Sequence, residues 1–195
     1  MQITSLLKES TAALHQLTED AMPLGRVLRG DSPFEDYGTL LSLQYQIYQD
    51  LERHLEEQLQ HPDLKSFFHQ KAPWMAADLQ NMGLPVPPPL EGQHPAMSDA
   101  FAIGVLYVLE GSMLGGQVIL KMLKKVESLD GLPHHFYTAY GAETGQRWMA
   151  FKALSENMVP ENCAQEAVAG ANYAFGFFLE KLEGSKQVRQ PSAVG

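Results

Sequence analysis

The chain has 195 residues, 45% of them apolar and 19% charged, which suits one globular core and is too apolar for a disordered chain. With 14 Lys plus Arg against 23 Asp plus Glu, the net charge of -9 repels phosphate backbones, so no nucleic-acid partner is expected. A lone Cys163 leaves no intrachain disulfide or cysteine-based zinc cluster, as suits a reducing cytoplasm.

The opening MQITSLLKESTAALH carries acid and polar residues where an export signal needs a basic region followed by an unbroken apolar one, so no export is expected. Ile3, Leu6, Leu7, Leu14 and Leu17 keep helical spacing, with a start near Thr4 and a stop at Pro23 and Gly25. A second helix opens at Asp31 or Ser32 with Pro33 in its first turn. It runs through Leu40, Leu43, Ile47, Leu51 and Leu55 to His61, where Pro62 closes it. Shorter helical pieces are predicted over Asp63 to Gln70 and Pro73 to Met82. PVPPPLEGQHP, residues 85–95, is too rich in proline for helix and reads as an extended connector.

The next helix is predicted from the capping Ser98 to about Val126, with Lys121, Lys124 and Lys125 near its negative end. Its apolar stretch from Ala100 to Leu120 is broken by Glu110 and studded with glycine, so a core helix is expected and not a membrane span. Two further helices follow, Glu143 to Met158 and Glu161 to Leu182, stopped by Pro160 and Gly184. A flexible tail is expected over 185–195, leaving one domain over 1–184. No run keeps a strand period for long, so the fold class is all-α.

Of seven histidines, none forms an HExxH pair. His54, His61, His69 and His94 read as exposed surface residues, and the adjacent His134 and His135 are a weak metal signal. His15 differs because Lys8, Thr11, His15 and Glu19 line one stripe of the first helix. Lys8 lies roughly 10 Å along the axis from His15 at ~1.5 Å per residue, which suits a ligand anionic at its edge and metallic at its centre. Packing of His15 against a neighbouring helix is the other reading. GVLYVLEGSMLGGQVIL places Gly104, Gly111, Gly115 and Gly116 in one helix, where each costs up to ~1 kcal/mol relative to alanine. Gly104, Gly111 and Gly115 share a face with Tyr107 between them. That face serves either close helix crossing or a flat ligand lying on bare backbone, and composition leaves both open.

Three segments together resemble the bacterial heme oxygenases, including those that supply biliverdin to bacterial phytochromes. LKESTAALHQLTE is similar to the family's proximal helix, with Lys8 and Thr11 seven and four residues before His15 and Glu19 four after it. LYVLEGSMLGGQVI is similar to the distal-helix signature, with Gly111, Gly115 and Gly116. YGAETGQRWMAF is similar to a segment that packs beside the site. The resemblance implies a single-domain multi-helix fold with heme between the first helix and the glycine-rich one. His15 would be the iron ligand as a neutral imidazole, oriented by Glu19. Lys8 and Tyr107 match positions that hold propionates, Lys152 in MAFKAL is a further basic partner, and Arg147 is another cation in the third segment.

The implied activity is cleavage of heme by O2 and reducing equivalents to biliverdin, carbon monoxide and ferrous iron. Electrons would come from a ferredoxin, flavodoxin or reductase, and biliverdin would pass to a phytochrome. A non-catalytic heme carrier or sensor is the alternative on the same fold. One position departs from the animal-type enzymes, which carry an Asp where this chain has Ser112. Glu110 sits about 100° around the helix from Gly111 and is not expected to face the iron.

Overall fold

The computed structural model describes residues 2–90 and 92–188, which contain nine α-helices, three short 3-10 turns and no strand. In chain order the helices are α1 (Ile3–Ala21), α2 (Leu24–Arg29), α3 (Pro33–Gln58), α4 (Pro62–Phe67), α5 (Ala72–Asn81), α6 (Asp99–Leu123), α7 (His135–Thr138), α8 (Thr144–Met158) and α9 (Ala164–Val188). Proline starts α3 and α4 inside the first turn, where its missing N–H has no helical acceptor to satisfy. Ser98 caps α6 by accepting from Phe101 N–H at 3.2 Å, and it donates to Glu166 at the start of α9.

The core lies between α3, α6 and α9. Leu41, Ile47, Leu51, Leu55, Ile103, Leu106, Leu109, Ala167 and Ala171 are all closed to solvent there. Helix α6 is long and apolar enough to span a membrane by length and composition, and 56% of that window is buried inside this fold. It crosses α9 at two glycines. A Cβ at Gly104 would overlap the Ala167 carbonyl oxygen, and one at Gly170 would overlap the Phe101 carbonyl oxygen. Backbone therefore meets backbone, and even a methyl group forces the helices apart. Gly104→Ala is expected to cost about 2 kcal/mol or more, a melting temperature lower by roughly 4–8 °C. An unchanged melting curve would show that the crossing has slack.

The connector between α5 and α6 carries no helix in its described residues. Side chains of α3 and α9 fasten it instead: Gln46 donates to Pro88 O at 2.8 Å, and His54 Nε2 lies 2.8 Å from Pro95 O. His94, expected at the surface, is buried with its side chain 3% exposed. Its Nε2 lies 3.1 Å from Asp50 and its Nδ1 2.5 Å from the Tyr173 hydroxyl, while its ring stacks on His54. Its neighbours in sequence are turn-like, and the partners that bury it come from distant helices.

The last helix passes Gly184 and continues to Val188, so the predicted stop there is not a stop; residues 189–195 lie outside the described residues. One glycine near a helix end costs only ~1 kcal/mol, which a long helix absorbs.

Candidate functional site

Helix α1 packs along α9, and α9 packs along α6, while α1 and α6 barely touch each other. A trough is left between them with α9 as its floor. On the α1 wall the His15 side chain is 56% exposed, with Nδ1 3.7 Å from Glu19 Oε2 and the ring edge-on to Phe175 of α9. That leaves Nε2 as the nitrogen without a partner from Glu19. Phe178, one turn beyond Phe175, meets Tyr48 of α3 edge-on at 5.4 Å. The Tyr48 hydroxyl lies 2.5 Å from Ser112 Oγ, on the α6 wall. The same two aromatic residues of α9 thus connect His15 on one side with Ser112 on the other.

The glycines of α6 divide between the two roles that their spacing allowed. Gly104 serves the helix crossing. A Cβ at Gly115 would meet nothing within 4 Å, and one at Gly111 would only touch the Trp148 ring at 3.7 Å. Gly116 is turned inward, where a Cβ would come within 3.1 Å of Tyr137. Around this open stretch, Leu17 of α1, Leu114, Val118 and Met122 of α6, and Met149 of α8 are large apolar side chains exposed to solvent. Exposed apolar groups on both sides of an imidazole and a bare helix backbone make a surface for a large flat apolar ligand.

Ser112 is fixed by its neighbours. Burial pushes the Tyr48 phenol far above its usual range, so its hydroxyl keeps its proton and donates it to Ser112 Oγ, which in turn donates to Leu109 O at 2.8 Å. Ser112 is therefore the fixed side-chain hydroxyl on the α6 wall.

His15, Glu19, Gly111, Ser112 and Gly115 stand along this trough, whereas Thr11 and Tyr107 are packed into the bundle. Thr11 is buried and donates to Leu7 O at 2.8 Å, with its side chain close to Tyr107. Tyr107 is half-buried between Thr11 and the Trp148 ring, 5.6 Å from it, and burial raises its phenol above the usual range. These two join α1, α6 and α8 below the trough. Lys8 is exposed and Lys152 half-buried, and neither takes part in an ion pair among the described residues. Glu156, one turn after Lys152, accepts from Ile3 and Thr4 N–H, so α8 runs antiparallel beside α1 and brings Lys152 toward the level of Lys8.

Arg147 is not a surface cation. It is bonded to Glu110 at 2.9 Å and lies over the rings of Phe67 and Tyr140. Glu110 is 3% exposed and turned away from the trough, as the 100° offset implied. His134 is likewise structural: it sits at φ +49, buried, with the Tyr37 hydroxyl 3.0 Å from its Nδ1. No group of three or more metal-ligating side chains exists among the described residues, so the adjacent histidines do not form such a site. Tyr48, Phe175 and Phe178 escaped sequence reasoning, because aromatic residues at helical spacing are indistinguishable from core.

A family model described as heme oxygenase matches residues 1–83 and 90–183. A heme oxygenase of Xanthomonas campestris pv. campestris (strain 8004) is 37% identical over 117 residues, and the match spans 57% of this chain and 66% of that relative. The crystal structures of the NO- and CO-bound heme oxygenase from Neisseria meningitidis have the same fold, with a TM-score of 0.74 over 99% of this chain and 98% of that one, at 22% identity.

Proposed function

The chain belongs to the heme oxygenase family, and on that premise we propose that it cleaves heme with O2 and reducing equivalents to biliverdin, carbon monoxide and ferrous iron. The observation that carries this reading is the pairing of an exposed imidazole, His15, with helix backbone left bare at Gly115 over an aromatic floor. The residues present fit heme: an imidazole nitrogen on one wall, bare backbone at Gly115 on the other, and exposed apolar side chains of Leu17, Leu114 and Val118 around them.

Bound heme supplies both the iron that activates O2 and the porphyrin ring that is oxidised. His15 would hold it through Nε2 while Glu19, near Nδ1, orients the imidazole. An imidazole ligand would give less electron push than a thiolate and so would favour oxidation of the porphyrin ring. Gly111 and Gly115 would let backbone lie close over bound heme and favour chemistry at its edge. Ser112 keeps its proton on Oγ, aimed at Leu109 O, and places no carboxylic acid on that face. Electrons would reach the site from a protein donor such as a ferredoxin, flavodoxin or reductase. The product would serve a biliverdin-accepting phytochrome, in the cytoplasm; support for these partners is the resemblance of the proximal and distal segments.

Lys8 and Lys152 are cations of the α1 and α8 walls suited to propionates. As solvated ion pairs they are each worth about 0.2–1 kcal/mol, so Lys8→Ala should weaken hemin binding by no more than about fivefold. It should also alter which meso carbon is cleaved, read as the ratio of biliverdin isomers. Unchanged affinity and unchanged isomers would remove Lys8 from the site. The binding reading itself is tested by titrating the apoprotein with hemin, where a Soret band saturating at one equivalent is expected. Its absence would reduce the likeness to fold alone.

A further inference from the structure

Directly behind the open turn of α6 lies a cluster of charges that heme binding does not use. Glu110 Oε1 accepts from Lys71 Nζ at 2.8 Å and from an Arg147 terminal nitrogen at 3.1 Å, and Glu110 Oε2 accepts from Arg147 Nε at 2.9 Å. Lys71 is 0% exposed and donates also to His69 O at 3.1 Å. Arg147 donates to Phe67 O at 2.7 Å. Glu52 of α3 grips the same segment from the other side, accepting from Lys71 N–H at 2.7 Å and Ala72 N–H at 3.0 Å. Burial pushes the Glu52 carboxyl up to about 7, against the opposing pull of Lys71 and those two N–H groups. The α4–α5 junction and α8 thus converge on the residue that precedes Gly111, and α3 holds that junction from its other side.

Such a cluster is a poor source of stability, because desolvating buried charges offsets most of their attraction, and well-packed apolar residues of equal volume often do as well. Its physical effect is directional. A carboxylate held by two residues through three hydrogen bonds fixes both rotation and sliding of its helix: a slip of one residue, ~1.5 Å, breaks all three of those bonds. The adjoining turn needs that. Gly111, Gly115 and Gly116 weaken its intrinsic rigidity, and on its open side a Cβ at Gly115 would meet nothing within 4 Å.

We propose that Glu110, Lys71 and Arg147 are positioning residues that hold the Gly111–Gly116 turn of α6 in register, and thereby set how closely bare backbone approaches the substrate. The substrate half of this statement rests on the heme oxygenase reading; the register half does not.

The test replaces the three charges together by apolar residues of similar length, Lys71→Met, Glu110→Leu and Arg147→Met, and follows amide hydrogen exchange in the apoprotein and the CO stretching band of the heme-loaded protein. The expected result is a retained melting temperature with exchange at residues 111–116 faster by about tenfold or more, and a shifted or broadened CO band. Unchanged exchange and an unchanged band in a folded triple variant would overturn the proposal. Should the triple variant not fold, Glu110→Gln, which keeps the shape and loses the charge, is expected to show the same local acceleration, and wild-type exchange in it would overturn the proposal equally. Accelerated exchange in a protein that never forms a Soret band would uphold the register argument and sink the substrate reading.

Discussion

His15→Ala is expected to abolish turnover and to weaken hemin binding by at least about 100-fold, since even partners that only orient a ligating histidine are worth 10–100-fold. The fold should survive. His15 is 56% exposed, and beyond the 3.7 Å approach to Glu19 and the edge contact with Phe175 it supports nothing. Changes at such exposed positions stay within about 0.5 kcal/mol, a shift of roughly 2 °C or less in melting temperature. Added imidazole should restore a ligated spectrum in the variant, because truncating the side chain to a methyl group leaves the α1 wall of the trough open to it. A variant that binds hemin as the wild type does would remove His15 as the ligand.

Gly115→Leu separates stability from function in the opposite sense to Gly104→Ala. A side chain at Gly115 meets nothing within 4 Å, and leucine is the better helix former by up to ~1 kcal/mol, so the apoprotein should melt at the same temperature or higher. In the heme-loaded protein that side chain would occupy the space over the ring. CO association with the reduced form should slow, and biliverdin formation should be lost. Wild-type CO kinetics would contradict the argument that bare backbone crowds this face. The two glycines lie on one face of one helix, yet the predicted signs of their stability effects differ because α9 covers only the first.

That difference marks what could be read from the chain alone. Helical periodicity, prolines and caps were enough for α1, α3, α6 and α8 to within a few residues, because each is long and its stops are local, whereas α9 runs on to Val188, past its expected end at Leu182. Helix α2 was not foreseen: six residues between Pro23 and Gly30 are too few for a period. The stripe Lys8, Thr11, His15 and Glu19 is a local pattern and was legible, but its division was not. Thr11 turns into the bundle and His15 turns out of it, as α9 dictates. Gly104 and Gly115 were likewise equivalent in spacing and distinguished only by their neighbours. Arg147 and Lys71 lie 37 and 39 residues from Glu110, and no sequence pattern links such partners. Buried charge pairing is a property of the assembled fold, whereas the proximal and distal segments carry their chemistry in consecutive residues.

The central claim is that this trough destroys the heme it binds. Its most direct test is to load the apoprotein with one equivalent of hemin, add reductant under air, and follow the visible spectrum while trapping the gas released. The account predicts that the Soret band decays into the broad red absorbance of biliverdin, with carbon monoxide released in equal amount and iron recoverable by a ferrous chelator. A Soret band that persists through reduction, with no carbon monoxide, would contradict it and leave a heme carrier on this fold.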